Sequence, residues 1–132
     1  MLKAGPQENA QMTTIAKDAN CVTLINVFTV EPEKQQQLLA LLTELTTNSM
    51  RHLPGFISAS IHKSLDRTHV AIYGQWRTLA DLKNMVRIRE SIPQMQAALT
   101  LTNGVDAKVY EVVEVCNVEA DDRLRKLAWL GV

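Results

Sequence analysis

The sequence predicts an α+β domain of the ferredoxin-like βαββαβ type, with helices covering one face of an antiparallel sheet. Three observations lead there. Segments rich in β-branched, aromatic and aliphatic residues recur along the chain, the first at Cys21 to Val30 and the last at Ala107 to Cys116. Between them lie two stretches with apolar residues at helical spacing. The polar corner Asp66-Arg67-Thr68 separates two β-type runs and reads as a hairpin turn, so the order is strand, helix, strand, strand, helix, strand.

Each element has its own signal. Residues 1–19 are polar and mixed and lack the apolar core of a secretion signal, so they read as a flexible arm of a cytoplasmic protein. In the first strand, Val22, Leu24, Ile25, Val27, Phe28 and Val30 supply the β-forming side chains. Glu31-Pro32-Glu33 then starts a helix, with proline near its first position and acids in its first turn. It is expected to run to about Leu53, with Leu38, Leu41, Leu42 and Leu45 as its apolar stripe. Gln35, Gln36, Gln37, Thr46, Thr47 and Asn48 fall on its solvated side.

Pro54-Gly55 breaks the chain and launches the hairpin. Thr78 caps a second helix, with Asp81 three residues later as in a capping box. This helix covers about Leu79 to Val86, and Arg87 to Leu101 continues helical with a break near Pro93. Asn103-Gly104 reads as a turn before the last strand. Glu119 to Val132 carries Leu124, Leu127, Ala128 and Leu130 at helical spacing, an amphipathic tail within 117–132. The core domain is thus expected over 20–116.

Composition narrows the function. The chain has 132 residues, 46% of them hydrophobic, enough for one core. Its 14 basic and 14 acidic residues balance, and no basic cluster with interleaved aromatics appears, which argues against a nucleic-acid partner. No apolar run is long enough to cross a bilayer. Cys21 and Cys116 lack metal-ligand spacing and read as free thiols, although antiparallel pairing of the first and last strands would make them neighbours. Ile25, Val27, Ile57, Ile61, Val70, Ile72, Val109 and Val113 cannot all face the helices, which predicts a homodimer packed sheet against sheet.

The segment Pro54 to Trp76 holds the candidate site. Its hairpin carries His62 on one strand and Tyr73, Gln75 and Trp76 on the other, more hydrogen-bonding aromatic groups than a structural hairpin uses. Tyr73 and Trp76, three residues apart, point to opposite sheet faces. The pattern Pro54-Gly55-Phe56, Ser58-Ala59, His62, Ser64, Asp66, Thr68, Val70, Tyr73, Gln75-Trp76 resembles the antibiotic biosynthesis monooxygenase superfamily of dimeric α+β barrels. Within it, the likeness is to the quinone-forming branch of the actinorhodin-pathway type, and it covers roughly Asn20 to Val115.

The resemblance implies an enzyme with no metal, flavin or haem, which deprotonates a phenolic substrate so that its anion reduces dioxygen directly. It implies that Trp76 donates its indole N–H to a substrate oxygen and that His62 takes or relays the proton. Asn26 on the first strand is the expected third catalytic group, with Phe28, Ile72, Tyr73, Leu82, Met85 and Arg89 as substrate-binding residues. Two positions depart from that branch: Ile72 stands where it has an asparagine, and Leu82 where it has a catalytic tyrosine. These apolar replacements keep two alternatives open, a dimeric binding or scaffold module without turnover and an isomerase or cyclase on the same fold. The haem-degrading branch requires a histidine further along the chain, and none follows His69.

Overall fold

The structure, a computed structural model, describes residues 12–118. The expected tail helix at Glu119 to Val132 and the first part of the arm lie outside the described residues. Strand β1 is Val22–Val30, β2 Phe56–Lys63, β3 His69–Trp76 and β4 Thr102–Tyr110. Helix α1 is Gln35–Asn48, α2 Leu79–Arg89 and α3 Pro93–Leu101, with 3-10 turns at Pro32–Lys34 and Met50–His52 flanking α1. The sheet order is β2-β3-β1-β4, and every pairing is antiparallel. This is the ferredoxin-like arrangement expected from the order of the elements.

The core fills the space between helices and sheet. Leu38, Leu42 and Leu45 of α1 pack on Phe28, Val70 and Leu24, with Leu82, Met85, Met95 and Ala98 closing the layer from α2 and α3. Leu38, Leu42, Phe28 and Val70 are fully buried, each contributing about 1.5–3 kcal/mol of apolar transfer. Two predicted breakpoints hold this layer in place. Gly55 has φ of 84°, in the left-handed region, and its carbonyl accepts from Arg77 N–H at 2.7 Å. The Thr78 hydroxyl accepts from the Asp81 N–H, the N-cap half of the capping box read from the sequence, while the Asp81 carboxylate accepts from the Thr78 hydroxyl and the Arg77 side chain.

The structure corrects three expectations. The long helix after β1 is shorter, ending at Asn48, and Gln35 is buried instead of solvated. Its side-chain amide donates to the carbonyls of Ser64 and His69, locking the helix start to the hairpin. Asn103-Gly104 is not a turn but part of β4, which begins at Thr102. The Thr102 hydroxyl bonds the Thr29 carbonyl and the Gly104 backbone at the point where the β1–β4 register shifts. The last strand, expected over Ala107 to Cys116, is instead Thr102–Tyr110, so Cys116 lies past it; Cys21 and Cys116 are both free.

Candidate active site

Strand alternation decides which side chains reach the helix layer. Across the sheet, Phe56–Trp76–Val22 form one row on that face, Ala59–Gly74–Leu24 the next, and Ile61–Ile72–Asn26 the one after. Between this floor and the helices is a cavity lined by these strands together with Leu45, Thr46, Met50, Met85, Arg89 and Met95. Its unfilled space is about 500 Å³ with the open mouth included, and little of that space is wide enough for a water molecule. The cavity is therefore a narrow slot, and three of its wall residues are methionines, whose unbranched side chains adapt readily to what lies beside them.

Besides the Thr46 hydroxyl, three polar groups interrupt the apolar lining. Asn26 is 6% exposed, and its side-chain oxygen Oδ1 is buried without a hydrogen-bond partner. A buried amide oxygen left unpaired costs about 1–3 kcal/mol, so its persistence at a cavity wall points to a ligand. Trp76 is buried, with its ring set edge-on to Phe56 at 5.4 Å and 90°. Its indole N–H makes no hydrogen bond among the described residues. Arg89, half-buried at the C-terminal end of α2, makes no salt bridge and no side-chain hydrogen bond among the described residues, although Glu90 is its neighbour in the chain. Burial pushes the Arg89 guanidinium below its ordinary pKa, partly offset by neighbouring Glu90, and an arginine so placed stays cationic. An uncompensated, partly desolvated cation favours an anion beside it.

Of the residues singled out from the sequence, Asn26, Phe28, Ile72, Trp76, Met85 and Arg89 line this one cavity. Leu82 is buried in the core next to it, outside the lining. His62 and Tyr73 do not join it. His62 pairs with Ala71 and Ser60 with Tyr73, and this row set faces away from the helices, so His62 is exposed on the opposite face. The expected meeting of His62 with Trp76 is thus not made in the chain. The register shift between Phe56 and Ser58 brings Phe56 opposite Trp76 but leaves His62 on the far side. Sequence reasoning missed Gly74 and Thr46. A glycine inside a strand is a recognised mark of close approach, whereas Thr46 carried no signal beyond its helical position. Among the described residues no group of three His, Cys, Asp or Glu side chains is placed to hold a metal ion.

Comparison with known proteins agrees with the fold. The profile of the family described as Antibiotic biosynthesis monooxygenase matches residues 21–91. A tetracenomycin-F1 monooxygenase from Streptomyces glaucescens is 46% identical over 74 residues, which is 56% of this chain and 66% of that enzyme. The aligned segment thus spans just under two thirds of that relative. Among solved structures, the monooxygenase from the gene ActVA-Orf6 of Streptomyces coelicolor, in complex with nanaomycin D, matches with a TM-score of 0.65 and 25% identity. That match covers 74% of this chain and 92% of the other. SnoaB from Streptomyces nogalater, described as a cofactor-independent oxygenase, matches in fold with a TM-score of 0.60 at 18% identity, covering 74% of this chain and 97% of its own.

Proposed function

The chain belongs to the antibiotic biosynthesis monooxygenase family, and from that premise we propose that it is a cofactor-independent monooxygenase acting on a phenolic, polycyclic aromatic small molecule. The observation that carries this reading is that Asn26, whose buried side-chain oxygen has no partner, shares one apolar slot with Trp76 and Arg89, neither of which makes a side-chain hydrogen bond among the described residues. The 46% identity to a tetracenomycin-F1 monooxygenase supports it. The overall reaction balances as a hydroxyarene with a free para carbon plus dioxygen, giving a quinone and water. The phenol loses its proton to solvent, the anion passes an electron to dioxygen, and the two radicals join at the para carbon as a peroxide anion, which takes a proton back from solvent. Loss of water from the resulting hydroperoxide, with the hydrogen of the para carbon, leaves the quinone.

The residues divide this work. The Arg89 cation favours the phenolate over the phenol and so lowers the substrate's own pKa. The Trp76 N–H donates to a substrate oxygen and fixes the ring. Asn26 Oδ1 accepts from a second hydroxyl on the substrate. Phe28, Ile72 and Met85 supply the dry walls that keep water from the anion. On this assignment the proton leaves through the cavity mouth to solvent, and His62 is not the base. The kcat/KM should then rise with pH through one ionisation belonging to the substrate, and His62→Ala should leave that profile in place.

His62 and Tyr73 are assigned to the other sheet face, where Ile25, Val27 and Ala71 are only half-buried. We read that face as the contact of a homodimer. The free thiols of Cys21 and Cys116 are in keeping with a reducing compartment, the cytoplasm. The narrowness of the slot favours a second reading, a binding module without turnover. One assay separates the two: oxygen uptake with hydroxylated naphthalenes and anthracenes under air. Uptake that falls by about 10²-fold in Trp76→Phe is the expected result. Binding without uptake selects the second reading, and neither binding nor uptake across the panel overturns both.

A further inference from the structure

On the reading that the slot holds an aromatic phenol, we infer that Gly74 is its specificity-determining position, admitting the oxygen-bearing edge of a fused-ring substrate down to backbone level beside Trp76. The inference starts from an expense that the fold does not explain. Gly74 is buried in β3, an interior strand paired on both sides, at Leu24 and at Ala59. Glycine there is about 0.5–1 kcal/mol less favourable than alanine. A strand glycine ordinarily marks a left-handed backbone, a bulge or a tight approach.

None of these applies. Positive φ occurs at Gly55 and Arg67, not at Gly74. The register shift of the hairpin lies on β2 between Phe56 and Ser58, and the Ser58–Gln75 pair separates it from the regular Ala59–Gly74 pair. A Cβ added to Gly74 would meet Leu24 O and Trp76 Nε1 at 3.6 Å and Ser58 O at 3.9 Å, all ordinary contacts. Gly55 shows what a glycine required by the fold looks like, since a Cβ there would lie 2.3 Å from the Asp81 carboxyl. The backbone and the packing would both accept alanine at 74.

What alanine would change is the cavity. Gly74 and its neighbour Ala59 both line it, and together they form a trough across two strands, between the Phe56–Trp76 row and the Ile61–Ile72–Asn26 row. An acceptor for the indole N–H must come within about 3 Å of Nε1. A methyl on Gly74 would stand 3.6 Å from that nitrogen and occupy the space over the glycine from which such an acceptor approaches. A rigid fused-ring substrate held between sheet and helices has little freedom to tilt around the methyl, whereas a smaller ring has more. The side chain missing at 74 therefore selects for ligands whose oxygen lies deep against the sheet.

The test compares Gly74→Ala with wild type and with Gly104→Ala, a strand glycine with nothing within 4 Å of an added Cβ. Melting temperature is read without ligand, and kcat/KM by oxygen uptake on a hydroxyanthracene and on a hydroxynaphthalene. Gly74→Ala should melt at or above wild type and lose at least about tenfold in kcat/KM on the larger substrate, with a smaller loss on the other. Gly104→Ala should keep full activity on both. Equal activity of Gly74→Ala and wild type overturns the inference, as does a loss that is uniform across substrates and accompanied by a lower melting temperature. A wild type that neither binds nor oxidises either compound defeats the functional reading itself, and the inference with it.

Discussion

Two buried carboxamides sit on neighbouring strands and face opposite ways. Gln75 on β3 is 2% exposed and points away from the helices; its oxygen accepts from the Ser58 hydroxyl at 2.6 Å and its nitrogen donates to the Thr14 carbonyl at 2.8 Å. Asn26 on β1 points into the slot, and its oxygen has no partner. Gln75 ties residues that come before β1 to the outer face of the sheet. Asn26 ties nothing together. A buried amide that serves the fold is paired within the fold, and one that serves a ligand is left open toward the place the ligand takes. Gln35, whose amide joins α1 to the hairpin, belongs with Gln75; Arg89 belongs with Asn26.

The largest effect that follows is on Arg89. Arg89→Met keeps the apolar stem and removes the only cationic group among the described residues that line the slot. Loss of one charge-stabilising group in a dry site lowers turnover by about 10²–10³-fold. The rate that remains should reach its plateau only at higher pH, because the substrate phenol no longer benefits from the cation. Melting temperature should hold or rise, since a partly desolvated, unpaired charge has been removed. A variant that loses stability and activity together would place Arg89 with the structural groups instead.

The two carboxamides give the next contrast, in opposite directions. Gln75→Leu strands the Ser58 hydroxyl and the Thr14 carbonyl and should destabilise the fold by about 2 kcal/mol in urea unfolding. Asn26→Leu removes an oxygen already without a partner and should leave stability unchanged or raised, while kcat/KM falls by about tenfold or more as the substrate hydroxyl loses its acceptor. If both substitutions destabilise equally, the distinction between fold-serving and ligand-serving amides fails.

The sequence carried the fold further than the site. The Pro54-Gly55 break and the Thr78 cap are local signals, each realised where it was read, whereas alternation located the first three strands but set the last at Ala107 to Cys116 instead of Thr102–Tyr110. Asn103-Gly104 misled because its usual meaning is a turn, whereas here the Thr102 hydroxyl and a register shift draw it into β4. For the site, chemistry was legible and sidedness was not. Trp76 and His62 lie on different strands, so whether they share a face depends on hairpin register, which sequence spacing does not settle. Arg89 reaches the slot from more than two helical turns past the Thr78 cap, so its place depends on how α2 packs. That Asn26 lacks a partner is a property of its surroundings, which no residue pattern records.

The smallest effect concerns a carboxylate at the hairpin corner that is paired without being buried. Asp66 Oδ1 accepts from the Thr68 hydroxyl, the Ser64 hydroxyl and the Thr68 N–H. These bonds, the Thr68 hydroxyl foremost, hold its pKa at about 2, below the usual 3.8. Because the folded value is the lower one, ionised Asp66 stabilises the fold fully above the unfolded pKa, and the contribution fades as pH falls from there toward about 2. Asp66 is fully exposed, so solvent screens the effect and it should be slight. Urea midpoints of wild type and Asp66→Asn should differ by a constant amount above about pH 5 and converge as pH falls through about 2. A gap that persisted through that range would mean that the corner draws its order from the Ser64 hydroxyl, which accepts from the Thr68 and His69 N–H groups, and not from the carboxylate charge.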